Sequence, residues 1–194
     1  MSLEPIIHAD QQLSLWVNSL HSPWSDQFWM FLSDSKVWFP AYAALAVFTV
    51  WKLGWKKGLA VIASLALTVF LADQLSVMVK NSVMRLRPCY CTWMLENELH
   101  YPLPRTGFYG FFSSHSSNVF AVAMCANIAF RTEDRESFRP LTIGLFVWAA
   151  LVALSRVMLA MHYVGDVFVG MLFGLALGAA IGYATRFIVL KARL

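Results

Sequence analysis

Long apolar runs separated by short polar breaks set the organisation of this chain. A bilayer crossing needs roughly 20 predominantly apolar residues. Five stretches approach that length: Val37 to Trp55, Gly58 to Lys80, Ser114 to Arg131, Leu141 to Leu159 and Val164 to Leu190. The third is the shortest and holds Asn118 and Asn127. Met1 to Ser35 has another pattern, in which Leu13, Trp16, Val17, Leu20, Trp24, Phe28, Trp29 and Phe31 are interleaved with Asp10, Asn18, His21, Pro23 and Asp26. It predicts one or two amphipathic helices lying in the membrane interface, broken near Pro23, with simple anchoring as their role. No basic start leads into an unbroken apolar core, so the segment does not read as a cleaved signal peptide. The predicted fold is all-α: one membrane-embedded domain over 1–194, a helical bundle with about five transmembrane helices plus an N-terminal interfacial segment over 1–35.

Composition supports the membrane reading. Of 194 residues, 59% are hydrophobic and only 13% charged, and the mean hydropathy is +0.59; soluble domains carry about twice that charge. The net charge of +4 comes from 15 basic and 11 acidic residues, and no basic arm or stacking motif suggests nucleic acid. Cys89, Cys91 and Cys125 give neither a disulfide framework nor zinc spacing. Lys52, Lys56 and Lys57 between the first two runs, and Arg186, Lys191 and Arg193 at the tail, place those ends in the cytoplasm. Arg131 to Arg139 falls on the same side by alternation. The outward loop from Lys80 to Phe112 nevertheless carries several cations, which breaks the orientation rule and implies that they have another task.

Gly170, Gly174, Gly178 and Gly182 recur at every fourth position of the last run, a spacing that lets a second helix approach closely. Asp73, inside the second run, needs a partner to be tolerated there, and Asn127 is one option. The loop from Cys89 to Phe111 mixes Trp93, Met94, Leu95, Leu99 and Tyr101 with Glu96, Glu98 and Arg105, so it suits either a lid or a packed connection.

The candidate chemistry sits at the outward ends of the runs. His162 and Asp166 are four residues apart, which in a helix brings the carboxylate one turn from the imidazole, able to take its Nδ1 proton. An imidazole so oriented can act as a base or nucleophile. Arg156 brings a permanent charge in a planar fork suited to phosphate. Lys80 and Arg87, the latter stopped by Pro88, can converge on one anion. Ser113 and Ser114 open a helix whose unpaired amides and dipole favour a phosphate, and His115 offers a second imidazole. Two other readings fit the same residues: a non-catalytic anion-binding transporter, and a metallohydrolase in which His115, His162 and Asp166 hold zinc.

Lys80-x6-Arg87-Pro88, Phe112-Ser113-Ser114-His115 and Ser155-Arg156-x5-His162-x3-Asp166 together resemble the three-part signature of the type 2 phosphatidic acid phosphatase (PAP2) superfamily. The first and third parts match fully. The second departs, with Ser114 where the family usually has glycine, placing a side chain where backbone normally approaches phosphate. The resemblance implies that His162 attacks phosphorus to form a phosphohistidine, that Asp166 orients it, and that His115 protonates the leaving group. Lys80, Arg87, Ser113, Ser114 and Arg156 would hold the phosphate, with no metal or other cofactor. It implies a bacterial inner-membrane phosphatase whose site faces the periplasm or cell exterior and whose partner is a lipid phosphate. Undecaprenyl diphosphate is the first choice of substrate; lipid A, phosphatidylglycerol phosphate and phosphatidic acid are the alternatives.

Overall fold

The computed structural model describes residues 3–132 and 135–191; Arg193, one of the tail charges used for orientation, lies outside them. Among the described residues all regular structure is helical, apart from a single antiparallel bridge between Leu86 and Tyr109. Eight α-helices follow in order: α1 (Glu4–Asn18), α2 (Pro23–Ser33), α3 (Phe39–Leu53), α4 (Trp55–Val83), α5 (Thr92–Glu96), α6 (Ser114–Ala129), α7 (Arg135–Met158) and α8 (Val164–Lys191).

Three helical stretches among the described residues are long and apolar enough to cross a membrane: Trp55–Val83, Phe138–Met158 and Val164–Lys191. The other two expected spans are shorter, 15 residues in α3 and 16 in α6. Gly54, at φ 77°, ends α3 and starts α4. α6 starts only where Ser113 caps it and ends in a 3-10 turn at Phe130–Thr132. The bundle exposes Trp51, Phe70, Ile143, Phe168 and Phe187 on its outside, the expected state of side chains whose solvent is lipid.

α8 packs chiefly against α6. A Cβ on Gly170 would stand 2.7 Å from the carbonyl oxygen of Ser113, and one on Gly182 3.2 Å from that of Cys125. Gly174 and Gly178 meet the carbonyls of Ser117 and Ala121 more closely still. The four glycines therefore do share one line, each facing every fourth residue of α6, and the two helices run parallel with their backbones in contact. Elsewhere the core is ordinary: Val119 and Phe120 pack on Ala149, Val152 and Ala153, while Leu53, Val61, Phe130 and Phe138 fill the end remote from the histidines.

The N-terminal segment breaks where Pro23 predicts. Ser22 and Ser25 form a reciprocal capping box with Pro23 as the first helical residue of α2. Leu13, Trp16, Trp24, Phe28 and Phe31 are exposed, as an interfacial segment requires. Several of its polar side chains, however, are not solvated: Ser14, Asn18 and Ser33 are buried. Asn18 is buried, donating to the carbonyls of Met158 at 2.8 Å and His100 at 2.9 Å, so the expectation of simple anchoring is corrected: burial of these groups has to be matched by hydrogen bonds, and the bonds fasten the segment to the bundle.

Candidate active site

α7 ends at Met158, the chain turns over through Ala160 in the left-handed region (φ 54°), and α8 begins at Val164. His162 thus lies in the turn and not on a helix, which corrects the helical reading of the His162–Asp166 spacing. The N–H groups of Met161 and His162 both donate to the Arg156 carbonyl, at 2.9 and 3.1 Å. Asp166, in the first turn of α8, accepts the Tyr163 N–H at 3.2 Å. Its Oδ2 stands 3.6 Å from His162 Nδ1, beyond hydrogen-bond reach. Gly110 occupies the adjoining space, where a Cβ would lie 3.0 Å from Asp166 Oδ2 and 3.4 Å from His162 Nδ1.

The partner that Asp166 does take is Arg85. Nη1 of Arg85 meets Asp166 Oδ1 at 2.7 Å, and Nη2 meets Asp10 Oδ2, also at 2.7 Å. The guanidinium carbon is 4.0 Å from the centre of the Tyr163 ring. Residues 85 to 87 run antiparallel to 108 to 110, with Arg87 N–H donating to Phe108 O at 2.9 Å and Gly110 N–H to Arg85 O at 2.8 Å. In such an extended stretch alternate residues share a face, so Arg85 and Arg87 both turn towards the 161–166 junction. Arg87 Nη1 reaches the Met161 sulfur at 3.6 Å.

Asp10 also accepts the Gly165 N–H at 2.7 Å, and Ser14 Oγ accepts that of Val164 at 2.9 Å. The start of α8 is thereby capped from α1, where an acidic group also suits the helix dipole. Ser33 of α2 is hydrogen-bonded to Arg156 Nη1. Asp10, Ser14, Ser33 and Arg85 went unnoticed in the sequence as site-shaping residues; the one available signal was Arg85 standing two residues from Arg87 in the cation-rich loop.

At the other side of the cluster, Ser113 caps α6 by accepting the Ser116 N–H at 3.4 Å, and its own N–H donates to Asp166 O at 3.0 Å. Its polar groups are therefore engaged within the protein, the ordinary capping role. Ser114, which replaces the family glycine, turns its hydroxyl towards Ser76 Oγ (2.8 Å) and Lys80 Nζ. The extra side chain holds Lys80 in place. His115, next in the first turn of α6, lies within electrostatic range of Lys80, Arg87, Arg156 and His162. The structure thus brings Lys80, Arg87, His115, Arg156 and His162 into one neighbourhood. Arg156 is 7% exposed and His162 2%, and Arg156 Nε and His162 Nδ1 are buried without a hydrogen-bond partner among the described residues. Burial first, and then the charges of Arg156, Arg87 and Lys80, push the His162 imidazole well below its usual pKa. A neutral imidazole among three cations is equipped to receive a tetrahedral anion and attack it.

The first half of the 89–111 loop is a packed connection, with Met94 and Leu99 buried against Ala160 and Tyr163, whereas residues 104–108 are exposed. Asp73 is half-buried within electrostatic range of Lys80. The Ser76–Ser114 bond sets the level of α4 against α6 and leaves Asn127 roughly 20 Å further along α6, so the suggested Asp73–Asn127 pairing is corrected. His115, His162 and Asp166 do not converge with metal-ligand spacing among the described residues, where a different trio does.

Residues 57–188 match the PAP2 superfamily. The chain belongs to this superfamily. It is a membrane phosphatase of the PAP2 type. Similar proteins include one named lipid A 4'-phosphatase from Bacteroides thetaiotaomicron, 30% identical over 174 residues that span 89% of this chain and 75% of that protein. Another of the same name, from Porphyromonas gingivalis, is 29% identical over 177 residues, 91% of this chain and 72% of that one. The fold is shared with a transmembrane PAP2-type phosphatidylglycerolphosphate phosphatase from Bacillus subtilis, at TM-score 0.69 and 22% identity over 96% of this chain and 87% of that one. It is shared also with Aquifex aeolicus LpxE, at TM-score 0.66 and 21% identity over 88% and 92% of the two chains.

Proposed function

We propose that this PAP2 protein removes a phosphate from lipid A, working at the outer face of a bacterial inner membrane. The observation that carries the substrate is the likeness to proteins named lipid A 4'-phosphatase along about nine-tenths of the chain. Undecaprenyl diphosphate, the first choice from the sequence, has no comparable support and gives way to it. On this reading the chain is one phosphatase domain over 1–194, with α3 and α6 completing five crossings where bilayer thinning or flanking side chains make up their length.

In the proposed reaction, Nε2 of neutral His162 attacks phosphorus as the bond to the lipid oxygen breaks. His115 gives its proton to that oxygen; the phosphate's own negative charge favours the protonated form of His115 as substrate binds. Water, losing a proton to His115, then attacks the phosphohistidine, releasing phosphate and restoring His162. Lys80, Arg87 and Arg156, with the Ser114 and His115 amides left unpaired by their place in the first turn of α6, stabilise the charge on the transferring group. Ser113 contributes by shaping that turn, and Asp166 by positioning the His162 turn.

Phosphate release by purified protein in detergent tests the proposal, comparing lipid A with undecaprenyl diphosphate, phosphatidylglycerol phosphate and phosphatidic acid. Lipid A should have the highest kcat/KM, and His162→Ala should abolish turnover. A higher value on undecaprenyl diphosphate would return the assignment to the first choice; phosphate binding without turnover would favour the anion transporter. Activity that survives chelation supports the metal-independent route.

A further inference from the structure

We propose that His21, Asp26 and His100 form a binding site for one zinc-class transition-metal ion, separate from the phosphate cluster, which clamps the 89–111 loop to α1 and α2. The three side chains come from three segments: the turn between α1 and α2, the first turn of α2, and the loop. One ligand atom from each lies within 4.8 Å of the other two. His100 Nε2 is 2.8 Å from Asp26 Oδ2, and the His21 and His100 rings are stacked with centroids 3.7 Å apart and planes 11° apart. Zinc held at about 2.0–2.2 Å by nitrogen and oxygen places its ligand atoms roughly 3.3 Å from one another, and because an imidazole binds a metal in its own plane, the His21 ring has to swing out of its stack with His100 to join the site, a reorientation its exposed position allows.

Two further observations separate this trio from a chance surface contact. Asp26 Oδ1 is a buried carboxylate oxygen with no partner among the described residues, a state that costs free energy unless something binds it. The backbone of His100 is also fixed in advance: Asn18, itself buried, donates to its carbonyl and accepts its N–H, each at 2.9 Å. Such outer support, holding a ligand residue in position, typifies built metal sites. Two imidazoles and one carboxylate suit zinc and its neighbours, whereas calcium and magnesium prefer all-oxygen sets. Three protein ligands leave a fourth position for water. Asn18 also bonds the Met158 carbonyl at the end of α7, so occupancy stiffens the loop beside the His162 turn without touching the reacting groups. His21 and Asp26 lie outside the residues that match the superfamily.

The test is cobalt and zinc binding to the full chain in detergent after chelator treatment. Cobalt should give visible d–d absorption saturating at one equivalent, which zinc displaces, and zinc should raise the thermal midpoint. His21→Ala, a change at an exposed side chain that spares the loop, and His100→Gln should each weaken binding by about tenfold or more and remove the thermal shift. His162→Ala should bind as the native protein does. Absence of stoichiometric binding, or binding untouched by His21→Ala, overturns the proposal. So does binding lost in His162→Ala, which would move the metal to the phosphate cluster. Because the readouts are absorption and unfolding, they stand apart from the choice of lipid substrate.

Discussion

Arg85 Nη1 sits 2.7 Å from Asp166 Oδ1, and the carboxylate it grips is fully buried. Arg85 therefore fixes the carboxylate beside the His162 turn while its other nitrogen reaches Asp10. Replacing it by alanine leaves a buried charge unpaired and frees the turn. Arg85→Ala should lower kcat by on the order of 10²-fold, the scale of an ångström of misplacement, and should lower the thermal midpoint. Steady-state kinetics and thermal unfolding in detergent check it; native kcat in this variant would mean that Asp166 is held adequately without Arg85.

Gly110 makes a more local prediction. A methyl group there would press on Asp166 Oδ2 at 3.0 Å and on His162 Nδ1 at 3.4 Å, so either the ring or the carboxylate has to shift. Gly110→Ala should reduce kcat about tenfold or more while lowering the thermal midpoint only slightly. An unchanged kcat would show that the turn absorbs the methyl group at no catalytic cost.

The contact between α6 and α8 tests packing with an internal control. Gly174→Ala and Gly178→Ala drive a methyl group into the carbonyls of Ser117 and Ala121 and should destabilise by about 1–3 kcal/mol each, the usual cost of overpacking. Gly144, in α7, has open space within 4 Å of the point where a Cβ would stand, and Gly144→Ala should be neutral or stabilising by up to about 1 kcal/mol. Equal thermal midpoints for all three variants would contradict the close approach.

The pH dependence follows from His162. Burial and then Arg156, Arg87 and Lys80 depress its pKa in the folded state, so between that low value and the ordinary value of about 6.5 the unfolded chain binds more protons. Its contribution to stability is therefore full above about pH 6.5 and declines as the pH falls below it. The same depression keeps the proposed nucleophile unprotonated, placing the acid limb of kcat/KM, corrected for ionisation of the substrate, below about pH 6.5. A limb at or above that value would mean that the imidazole titrates as it does in water.

The positions of the long helices were legible because a bilayer imposes apolar length: α4 and α8 begin and end within a few residues of the runs that predicted them. Ser113 as a cap and Pro23 as a break were legible because both act on their immediate neighbours. The motif residues could be named, since their spacing is fixed along the chain. Their supports could not: Asp10 with Gly165, Asn18 with Met158 and Ser33 with Arg156 join points more than a hundred residues apart. The His162 turn misled for the opposite reason. A four-residue interval reads as helix by default, and only the left-handed Ala160 diverts the backbone before it.

The capping of α8 by Asp10 and Ser14 sets an order of assembly. As the ribosome delivers the chain, α1 is made 150 residues or more before the amides it caps exist. Until then the earlier helices can already sit in the bilayer while the turn that carries His162 is unfinished. Catalytic competence is thus expected to arrive late in synthesis, once the start of α8 has been made and docks on α1.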